Sequence, residues 1–289
     1  MHSLHQKISN SSNVGIVYMI LSVLCFSVVN VIAKTLHHIP VHELIFFRAL
    51  VSFFLCWWYF RNKNLSFWGT NRTWLVMRGL TGLAALLLFF STIKHMPLAT
   101  ASTIQYLSPI FTVFLAVYMN KQPVRPIQWL FFLLAMIGVV LIKGFETQVE
   151  TYWLVVGILS AVLAGLAYNS IIRAKAFDHP MTIVMYFPLV SIPLMGVWCL
   201  FEWVQPMGWD WLLLLIMGVF TQFAQYLMTL ALHSDKASKV APWNYSGAIF
   251  ALMFGWIFFG EVIHAFSIVG MIVIGIAVVL NAKLKPIVE

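Results

Sequence analysis

Long apolar stretches, separated by short polar segments, run through almost the whole chain. Each has about the 20 residues that a helix needs to cross the hydrocarbon core of a bilayer. In hydrocarbon every backbone N–H and C=O must be paired internally, which leaves only helices or closed barrels. The stretches are continuously apolar and do not alternate in short segments, so the pattern favours helices. We therefore expect an all-α integral membrane protein.

The apolar pattern predicts ten transmembrane helices. Pro109, Pro188 and Pro193 fall inside predicted spans, where a missing N–H should bend the helix and free a carbonyl group. The predicted spans are residues 14–36, 40–60, 73–94, 98–119, 126–143, 152–172, 180–201, 210–232, 238–258 and 264–282.

Composition and charge agree with this interpretation. A soluble fold of 289 residues could not cover its surface with 62% hydrophobic and 9% charged residues. The net charge of +8 does not indicate nucleic-acid binding, because the Lys and Arg residues lie between spans, where they set orientation. Alternate loops are rich in these cations, which predicts that both termini are cytoplasmic and, without organelle signals, that the membrane is the plasma (inner) membrane. The cation-rich segments hold Lys7, Arg61, Lys63, Arg72, Lys121, Arg125, Arg173, Lys175, Lys236, Lys239, Lys283 and Lys285. The opposite loops hold Lys34, Lys94 and Lys143.

The second half of the chain echoes the first at an offset of 139 residues, which aligns residues 105–111 with 244–250. The predicted repeats are residues 14–143 and 152–282, each with five spans. An odd number of spans inserts the two halves with opposite polarity. Two inverted five-helix repeats are a common plan of secondary transporters, whose substrate site lies where the repeats meet. The alternative is chance similarity between segments rich in Leu, Val and Ile.

Several motifs resemble the drug/metabolite transporter superfamily, EamA family: Phe46–Arg48, Arg78–Gly82, Leu98–Phe111 and Gly260–Glu261. The first half looks closest to the S-adenosylmethionine uptake carriers and their eukaryotic solute-carrier relatives. The resemblance implies ten helices in two inverted repeats around a cavity lined mainly by helices 1, 3, 4, 6, 8 and 9. One departure is that Lys121–Gln122 stands where the first repeat of the family usually has Gly-Glu.

The fourth and ninth spans carry the strongest candidates for substrate binding. Polar residues within spans usually face the bundle interior or a cavity, because exposing them to lipid is costly. A transport cavity needs neutral donors and acceptors that replace water around a solute without trapping it. The alternative role for these polar residues is hydrogen bonding between helices. We expect Gln105, Tyr106, Asn244 and Tyr245 to form the core of the site, with Ser102 beside them and Trp243 as a stacking wall.

Other polar positions allow two interpretations, namely solute contact or polar packing between helices. These are Asn30, Tyr168, Asn169, Gln222, Gln225 and Tyr226.

Two arginines lie within predicted spans. Arg48 is either an anion anchor or a structural residue tied to carbonyl groups or to Glu43, and the structural interpretation is favoured. Arg78 can extend to the lipid headgroups, the slightly favoured interpretation. The neighbouring Gly79 and Gly82 also allow close helix approach, which could turn Arg78 inward as a gate or substrate clamp.

No Asp or Glu falls deep in a predicted span. A buried carboxylate relay, the usual device for proton coupling, is therefore not expected, and facilitated diffusion or exchange is favoured.

His37, His38 and His42 are interpreted as exposed loop residues, and we expect no metal and no cofactor. The sequence shows no nucleophile, metal set or paired carboxylates typical of an enzyme.

The sequence therefore predicts a secondary transporter of a small neutral, zwitterionic or anionic metabolite, working by alternating access in the lipid bilayer. The alternatives are an S-adenosylmethionine uptake carrier and a non-transporting scaffold or lipid scramblase.

Overall fold

The computed structural model describes residues 13–63, 67–95, 104–143, 150–260 and 265–284. Regular structure within these ranges is helical, so the predicted all-α fold class is confirmed. The helices are α1 (Val14–Thr35), α2 (Val41–Lys63), α3 (Arg72–His95), α4 (Ser108–Asn120), α5 (Pro126–Lys143), α6 (Thr151–Ala174), α7 (Pro180–Cys199), α8 (Asp210–Ser234), α9 (Ala237–Val240), α10 (Ser246–Phe259) and α11 (Ala265–Lys283).

Within the described residues, six helices are long and apolar enough to cross a membrane. They are α1, α2, α3 up to Thr92, α6, α7 and α8. Three shorter apolar helical stretches, Ser108–Asn120, Pro126–Leu141 and Ile268–Asn281, fall within the remaining predicted spans. The chain is a multi-pass membrane protein, and the count of ten crossings stays a prediction.

The fourth predicted span is interrupted. The chain turns at Tyr106 and Leu107, and α4 begins at Ser108. Pro109 therefore occupies the first turn of a helix, where its missing N–H costs little. The expected bend of a continuous helix at Pro109 is wrong, because Pro109 starts a helix. Residues 98–103 of this span, Ser102 among them, lie outside the described residues.

The ninth predicted span is interrupted at the matching place. The four-residue α9 leads into a 3-10 turn over Ala241–Tyr245, and α10 follows. The expected single helix over 238–258 is wrong here, because Pro242 near the start of the turn cannot continue the helical hydrogen bonds. Both interruptions end beside matching tyrosines, Tyr106 and Tyr245.

The ends of α4 and α10 also match. Lys121 (φ 51°) and Gly260 (φ 64°) follow these helices in the left-handed conformation. Their N–H groups donate to the carbonyls of Ala116 and Gly255 respectively, and both pairs obey the 139-residue offset. Gln122, at the position of the family's usual Glu, accepts a hydrogen bond from the Ala237 N–H at 3.0 Å. Its amide therefore links the two halves of the chain.

Helix packing repeats when the halves are exchanged. Helix α3 of the first half packs along α6 of the second, and the equivalent pair is α8 of the second half along α1 of the first. Likewise, the contact of α3 with α7 is equivalent to the contact of α8 with α2. Two further pairs, α2 with α7 and α5 with α11, each join equivalent helices of the two halves, so exchanging the halves leaves these pairs unchanged. Two glycines permit close approach to the backbone of a neighbouring helix: a Cβ on Gly79 would lie 2.5 Å from the Tyr186 carbonyl oxygen, and one on Gly138 would lie 2.8 Å from that of Gly270.

One end of the bundle, called here the basic end, gathers the starts of α1, α3, α5 and α7 with the ends of α2, α4, α6 and α8. Asp178, which follows α6, accepts hydrogen bonds from the Thr70 and Asn71 N–H groups at 2.5 and 3.1 Å. Arg173 donates to the Met119 carbonyl, and Tyr59 stacks on His179 with ring centroids 5.9 Å apart. These contacts bring the predicted cytoplasmic cations of the described residues to one end of the bundle.

The opposite end, called here the histidine end, joins the α1–α2 connection to the α7–α8 connection. His38 Nε2 lies 3.0 Å from Asp210 Oδ2, and His42 Nε2 lies 2.8 Å from the Glu202 carbonyl oxygen. His42 is buried and stacks on Trp198 at 5.3 Å. The interpretation of the histidines as exposed loop residues is therefore wrong for His42, because Trp198 and the 199–210 segment cover it.

Candidate solute-binding site

A cavity of about 190 Å³ lies among α1, α2, α3, α6, α7, α8 and the turn before α4. Its wall is mostly apolar and aromatic, with a few polar groups pointing inward, as is typical of small-molecule sites. The lining residues are Phe26, Val29, Asn30, Arg48, Arg78, Gly82, Ala85, Leu86, Phe89, Phe90, Gln105, Tyr106, Ala164, Ala167, Tyr168, Phe187, Gln225 and Met228.

Sequence-predicted residues divide into two groups. Asn30, Arg48, Arg78, Gln105, Tyr106, Tyr168 and Gln225 line the cavity. Asn169, Gln222, Tyr226, Trp243, Asn244 and Tyr245 do not.

The cavity reaches from the histidine end towards the basic end. Asn30 is exposed and lies about 8 Å before the end of α1, at a rise of 1.5 Å per residue, so its amide marks the mouth. Arg78 lies about 9 Å into α3 from the basic end and is 2% exposed. Gln225 precedes Ser234, the last residue of α8, by nine residues and so lies about 14 Å from the basic end. The cavity therefore runs along the bundle from the exposed Asn30, nearer the histidine end, to the buried Arg78, nearer the basic end.

Arg78 points into the bundle. Its guanidinium donates a hydrogen bond to Gln225 Oε1 and lies 5.8 Å from the centroid of the Phe187 ring. Gly82, one turn along α3, leaves the space that this side chain fills, because a Cβ there would collide with Arg78 Nη1. The interpretation in which Arg78 extends to the headgroups is wrong, since the glycine on the same face makes room for the inward rotamer.

Arg48 enters the cavity from α2. It is 2% exposed, and its guanidinium lies 5.5 Å from the centroid of the same Phe187 ring. Glu43 accepts instead from the Val204 N–H at 2.5 Å. The expected tie between Arg48 and Glu43 is therefore wrong, because the carboxylate caps the 199–210 segment at the histidine end.

The electrostatics of the cavity are set by these two cations. The lining residues include no Asp or Glu, and within the described residues neither guanidinium is paired with a carboxylate. The Nε atoms of both arginines have no hydrogen-bond partner in the described part of the chain. The Phe187 ring attracts each guanidinium through a cation–π interaction, which stabilises a desolvated cation by about 2 kcal/mol. That contribution is smaller than the several kcal/mol that burying an ion costs.

Gln105 and Tyr106 form another wall, at the start of α4. Ser160 of α6 lies 3.0 Å from Gln105 Oε1 and donates to the Ala85 carbonyl at 2.7 Å, which fixes the amide against α3 and α6. The Tyr106 ring lies 6.3 Å from the Tyr245 ring. Gln105 and Tyr106 therefore present polar atoms to the cavity from a position that neighbouring helices hold.

Asn169 and Gln222 face other helices. The Asn169 amide donates to the Thr112 carbonyl at 2.9 Å, and its Oδ1 accepts from Asn120 at 2.6 Å, which joins α6 to α4. Gln222 Nε2 lies 3.1 Å from Cys56 Sγ, in the apolar cluster against which Tyr226 also packs. The packing interpretation describes these contacts, and solute contact by these residues stays a prediction.

The ninth-span candidates lie beside the cavity and not in its wall. Tyr245 is fully buried in an apolar cluster with Phe132 and Ile274. Trp243 Nε1, Asn244 Nδ2 and the Tyr245 hydroxyl are buried without hydrogen-bond partners among the described residues. The structure thus places Gln105 and Tyr106 in the cavity wall and Tyr245 behind Tyr106, and the role of these three ninth-span residues as substrate ligands stays a prediction.

Sequence reasoning missed the aromatic wall, above all Phe187, the ring that both arginines share. Phe187 lies in a span of nearly uniform hydropathy, so no periodicity distinguishes it from lipid-facing residues. The available signal was its position before Pro188, an interior proline at which a helix can approach its neighbours.

Comparison with known proteins identifies the family. The profile of the EamA-like transporter family matches residues 13–144 and 151–282. The chain belongs to the EamA-like transporter family. The expected resemblance is therefore confirmed, and the membership of the S-adenosylmethionine carrier subgroup stays a prediction.

Relatives of this EamA-like chain carry transporter names. It is 32% identical to the pseudopaline exporter CntI of Pseudomonas aeruginosa over 94% of this chain and 96% of that one. It is 28% identical to human solute carrier family 35 member G1, over 86% and 73%. It is 24% identical to the riboflavin transporter of Rhizobium johnstonii, over 94% and 90%.

The fold also matches a solved structure, described only as the crystal structure of a protein. The TM-score is 0.82 at 15% identity, over 93% of this chain and 96% of that one. At this identity the likeness shows the fold alone.

Proposed function

We propose that this EamA-like protein is a secondary transporter that moves a small polar metabolite across the membrane by alternating access. The observation that carries the proposal is the cavity, whose lining runs from the exposed Asn30 to the buried Arg78; an opening at the histidine end is part of the proposal. A solute site buried in the bundle and open to one side is what one state of such a carrier requires.

Helix directions support two inverted five-helix repeats, at residues 14–143 and 152–282. Helix α1 begins at the basic end, where Gly15 meets Asp235, whereas α6 begins at the histidine end, where Trp153 stacks on His95 at 3.8 Å. The positive-inside rule then favours a cytoplasmic basic end, with both termini on that side. The proposed location is the plasma (inner) membrane, and the cavity would face outward in the described state.

The proposed gate lies at the basic end. There Gln122 accepts from the Ala237 N–H, Lys239 lies 2.5 Å from Asp235 Oδ2, and Lys175 donates to the Leu232 carbonyl at 2.8 Å. Burial lowers the pKa of Lys175, which follows α6. Of these three contacts, the one between Gln122 and Ala237 joins the two repeats, so rocking one repeat against the other would break it and close the histidine end.

A lipid-modifying enzyme is less well supported than a carrier. Among the described residues, those that line the cavity include no Ser, Cys, His, Asp or Glu as a nucleophile or general base. Two cations in the wall also disfavour a cationic sulfonium such as S-adenosylmethionine, by like-charge repulsion.

Flux into proteoliposomes tests the proposal. The purified protein would be reconstituted, and uptake would be measured for labelled organic acids, amino acids, riboflavin, nucleosides and S-adenosylmethionine. At least one solute should enter faster than in empty vesicles. The substitution Ala85→Trp, which fills the cavity, should abolish that flux.

The matched control is Leu80→Trp on the same helix, because Leu80 is 48% exposed and faces away from the cavity. It should transport like the unmodified protein. Equal flux in both variants, or no flux of any solute, would refute transport through this cavity. A lipid-scrambling assay on the same vesicles tests the scramblase alternative.

A further inference from the structure

Two guanidinium groups from different helices meet on one aromatic ring. Arg48 of α2 and Arg78 of α3 lie 5.5 and 5.8 Å from the centroid of the Phe187 ring of α7. Both side chains are 2% exposed and line the same cavity. Like charges repel, so a fold that holds two of them on one ring without a counter-ion maintains an unfavourable arrangement.

The two cations have more donor groups than the protein satisfies. Arg78 donates to Gln225 Oε1, which is a neutral acceptor, while the Nε atoms of both arginines have no partner in the described residues. Buried polar atoms are nearly always satisfied, so two cavity-lining arginines with unpaired Nε atoms are left short of acceptors by the described residues. An acceptor that carries negative charge would also compensate the two buried cations.

Backbone contacts hold this arrangement in place. A Cβ on Gly79 would lie 2.5 Å from the Tyr186 carbonyl oxygen, so α3 and α7 touch one residue away from both Arg78 and Phe187. Gly82 clears the volume that the Arg78 guanidinium occupies. The positions of both groups are therefore fixed by helix packing before any solute arrives, which lowers the entropy cost of binding.

We infer that Arg48 and Arg78 form the binding site for a carboxylate group of the transported solute, an inference that rests on the proposed transport function. A guanidinium presents paired N–H donors in a plane that matches a carboxylate. The aromatic wall of Phe26, Phe89 and Phe90 accepts the organic part of the solute. Arg78 donates to the neutral Gln225 Oε1, and the solute carboxylate would replace this acceptor.

Thermal unfolding in detergent, with acids and their matched amides, tests this site. Phenylacetate and succinate should raise the melting temperature, since a ligand bound only to the native state stabilises it, and phenylacetamide and succinamide should not. Inorganic phosphate at the same ionic strength distinguishes a carboxylate site from a general anion site. Equal shifts for acid and amide, no shift with either acid, or a larger shift with phosphate would overturn the inference.

The arginines are tested by Arg48→Met and Arg78→Met. Each variant should retain or exceed the melting temperature of the empty protein, because an uncompensated buried charge is removed. Each should also need about tenfold more acid, or more, for the same shift. Arg61→Met is the matched control: Arg61 is exposed over Trp57 at the basic end, so this variant should keep the acid shift.

If the two arginines were only structural, both Met variants would have a lower melting temperature and an unchanged response to the acids. That result would contradict the inference. Should either Met variant fail to fold, Arg48→Lys and Arg78→Lys keep the charge and lose the planar fork. They should fold and still bind the acids several-fold more weakly, and unchanged binding in both would count against the site.

Failure of this inference can be told apart from failure of the proposed function. In one outcome, Ala85→Trp blocks the flux of neutral or zwitterionic solutes and the protein shows no preference for acids over amides. That outcome would refute the carboxylate site and still support the transporter. Acid-specific binding without flux of any solute would support the carboxylate site and refute the transport function.

Discussion

At the scale of single residues, Arg78 shows what decides whether a cation near a helix end reaches the headgroups or turns inward. The sequence permits both, because the stem of Arg78 is long enough for either. The choice is made by Gly82, which empties the volume beside it, and by Gln225 and Phe187, which contact the guanidinium from other helices. Only the glycine was visible in the local sequence.

Gln225→Glu places a permanent carboxylate beside Arg78 without changing the shape of the side chain. A charge-assisted hydrogen bond should replace a neutral acceptor, with Arg48 nearby to stabilise the new charge, so unfolding should cost about 1–3 kcal/mol more. The variant should melt at a higher temperature and lose the response to added acids. Thermal unfolding with and without phenylacetate measures both.

Gln222→Glu is the matched control, one turn earlier on α8. Its amide lies against Cys56 Sγ and Met181 Sδ at 3.1 and 3.4 Å, where no cation would compensate the charge. This variant should be destabilised by about 2 kcal/mol or more. If both variants move the melting temperature in the same direction, the cavity does not have the positive character described here.

Intramembrane polarity identifies residues that face the bundle interior but does not separate cavity from packing. Asn30 and Gln105 both line the cavity, and their contact with a solute stays a prediction. Asn169 has the same signature in sequence, yet its amide is used by Asn120 and the Thr112 carbonyl. The difference lies in which residue of another helix stands opposite, and that is not encoded locally.

Tyr245→Phe tests whether the ninth-span tyrosine is a structural residue. Its hydroxyl is buried without a partner among the described residues, so its removal should stabilise the protein by about 1 kcal/mol. Tyr186→Phe is the control, because that hydroxyl donates to the Trp68 carbonyl at 2.6 Å and its loss should destabilise by about 1 kcal/mol. Loss of transport in Tyr245→Phe, at unchanged stability, would instead support the predicted substrate contact.

At the scale of helices, apolar length predicted most elements well and the interruptions poorly. The starts of α1, α5, α7 and α8 fall on or next to the predicted residues. Pro242 and Pro109 were expected to belong to continuous spans, but each lies in the first turn of a new element. Hydropathy windows cannot detect such breaks, because the residues on both sides remain apolar.

Gly79→Ala tests the close contact of α3 with α7 that positions Arg78 against Phe187. The added Cβ would lie 2.5 Å from the Tyr186 carbonyl oxygen and 2.7 Å from Val190 Cγ2, so the helices must separate at a cost of about 1–3 kcal/mol. The melting temperature should fall, and the acid response should weaken as Arg78 moves away from Phe187.

Gly275→Ala on α11 is the matched control for this helix contact. A Cβ at Gly275 meets nothing within 4 Å, so alanine should stabilise the helix by about 1 kcal/mol. Similar stability changes at both glycines would mean that α3 and α7 are not in close contact in the protein.

At the scale of the whole molecule, the charges between spans anticipated how the chain is arranged. Arg61, Lys121, Arg173 and Lys236 were assigned to one side from alternation alone, and the structure gathers their segments at the basic end. The sequence could not show which end of the cavity is closed. That depends on contacts between distant segments, such as Gln122 with Ala237, which hydropathy and charge counts do not register.

The central claim is that solutes reach the cavity from one side of the membrane at a time. The most direct test is the reactivity of the thiol in Ala85→Cys. In a background without Cys25, Cys56 and Cys199, a membrane-impermeant thiol reagent would be applied to oriented vesicles from each side. The cysteine should react from the side of the histidine end, more slowly when the transported solute is present. Ala161→Cys, which replaces a fully buried residue outside the cavity wall, should stay unreactive. Ala85→Cys that reacts from neither side, or that the solute does not protect, would contradict the proposed carrier.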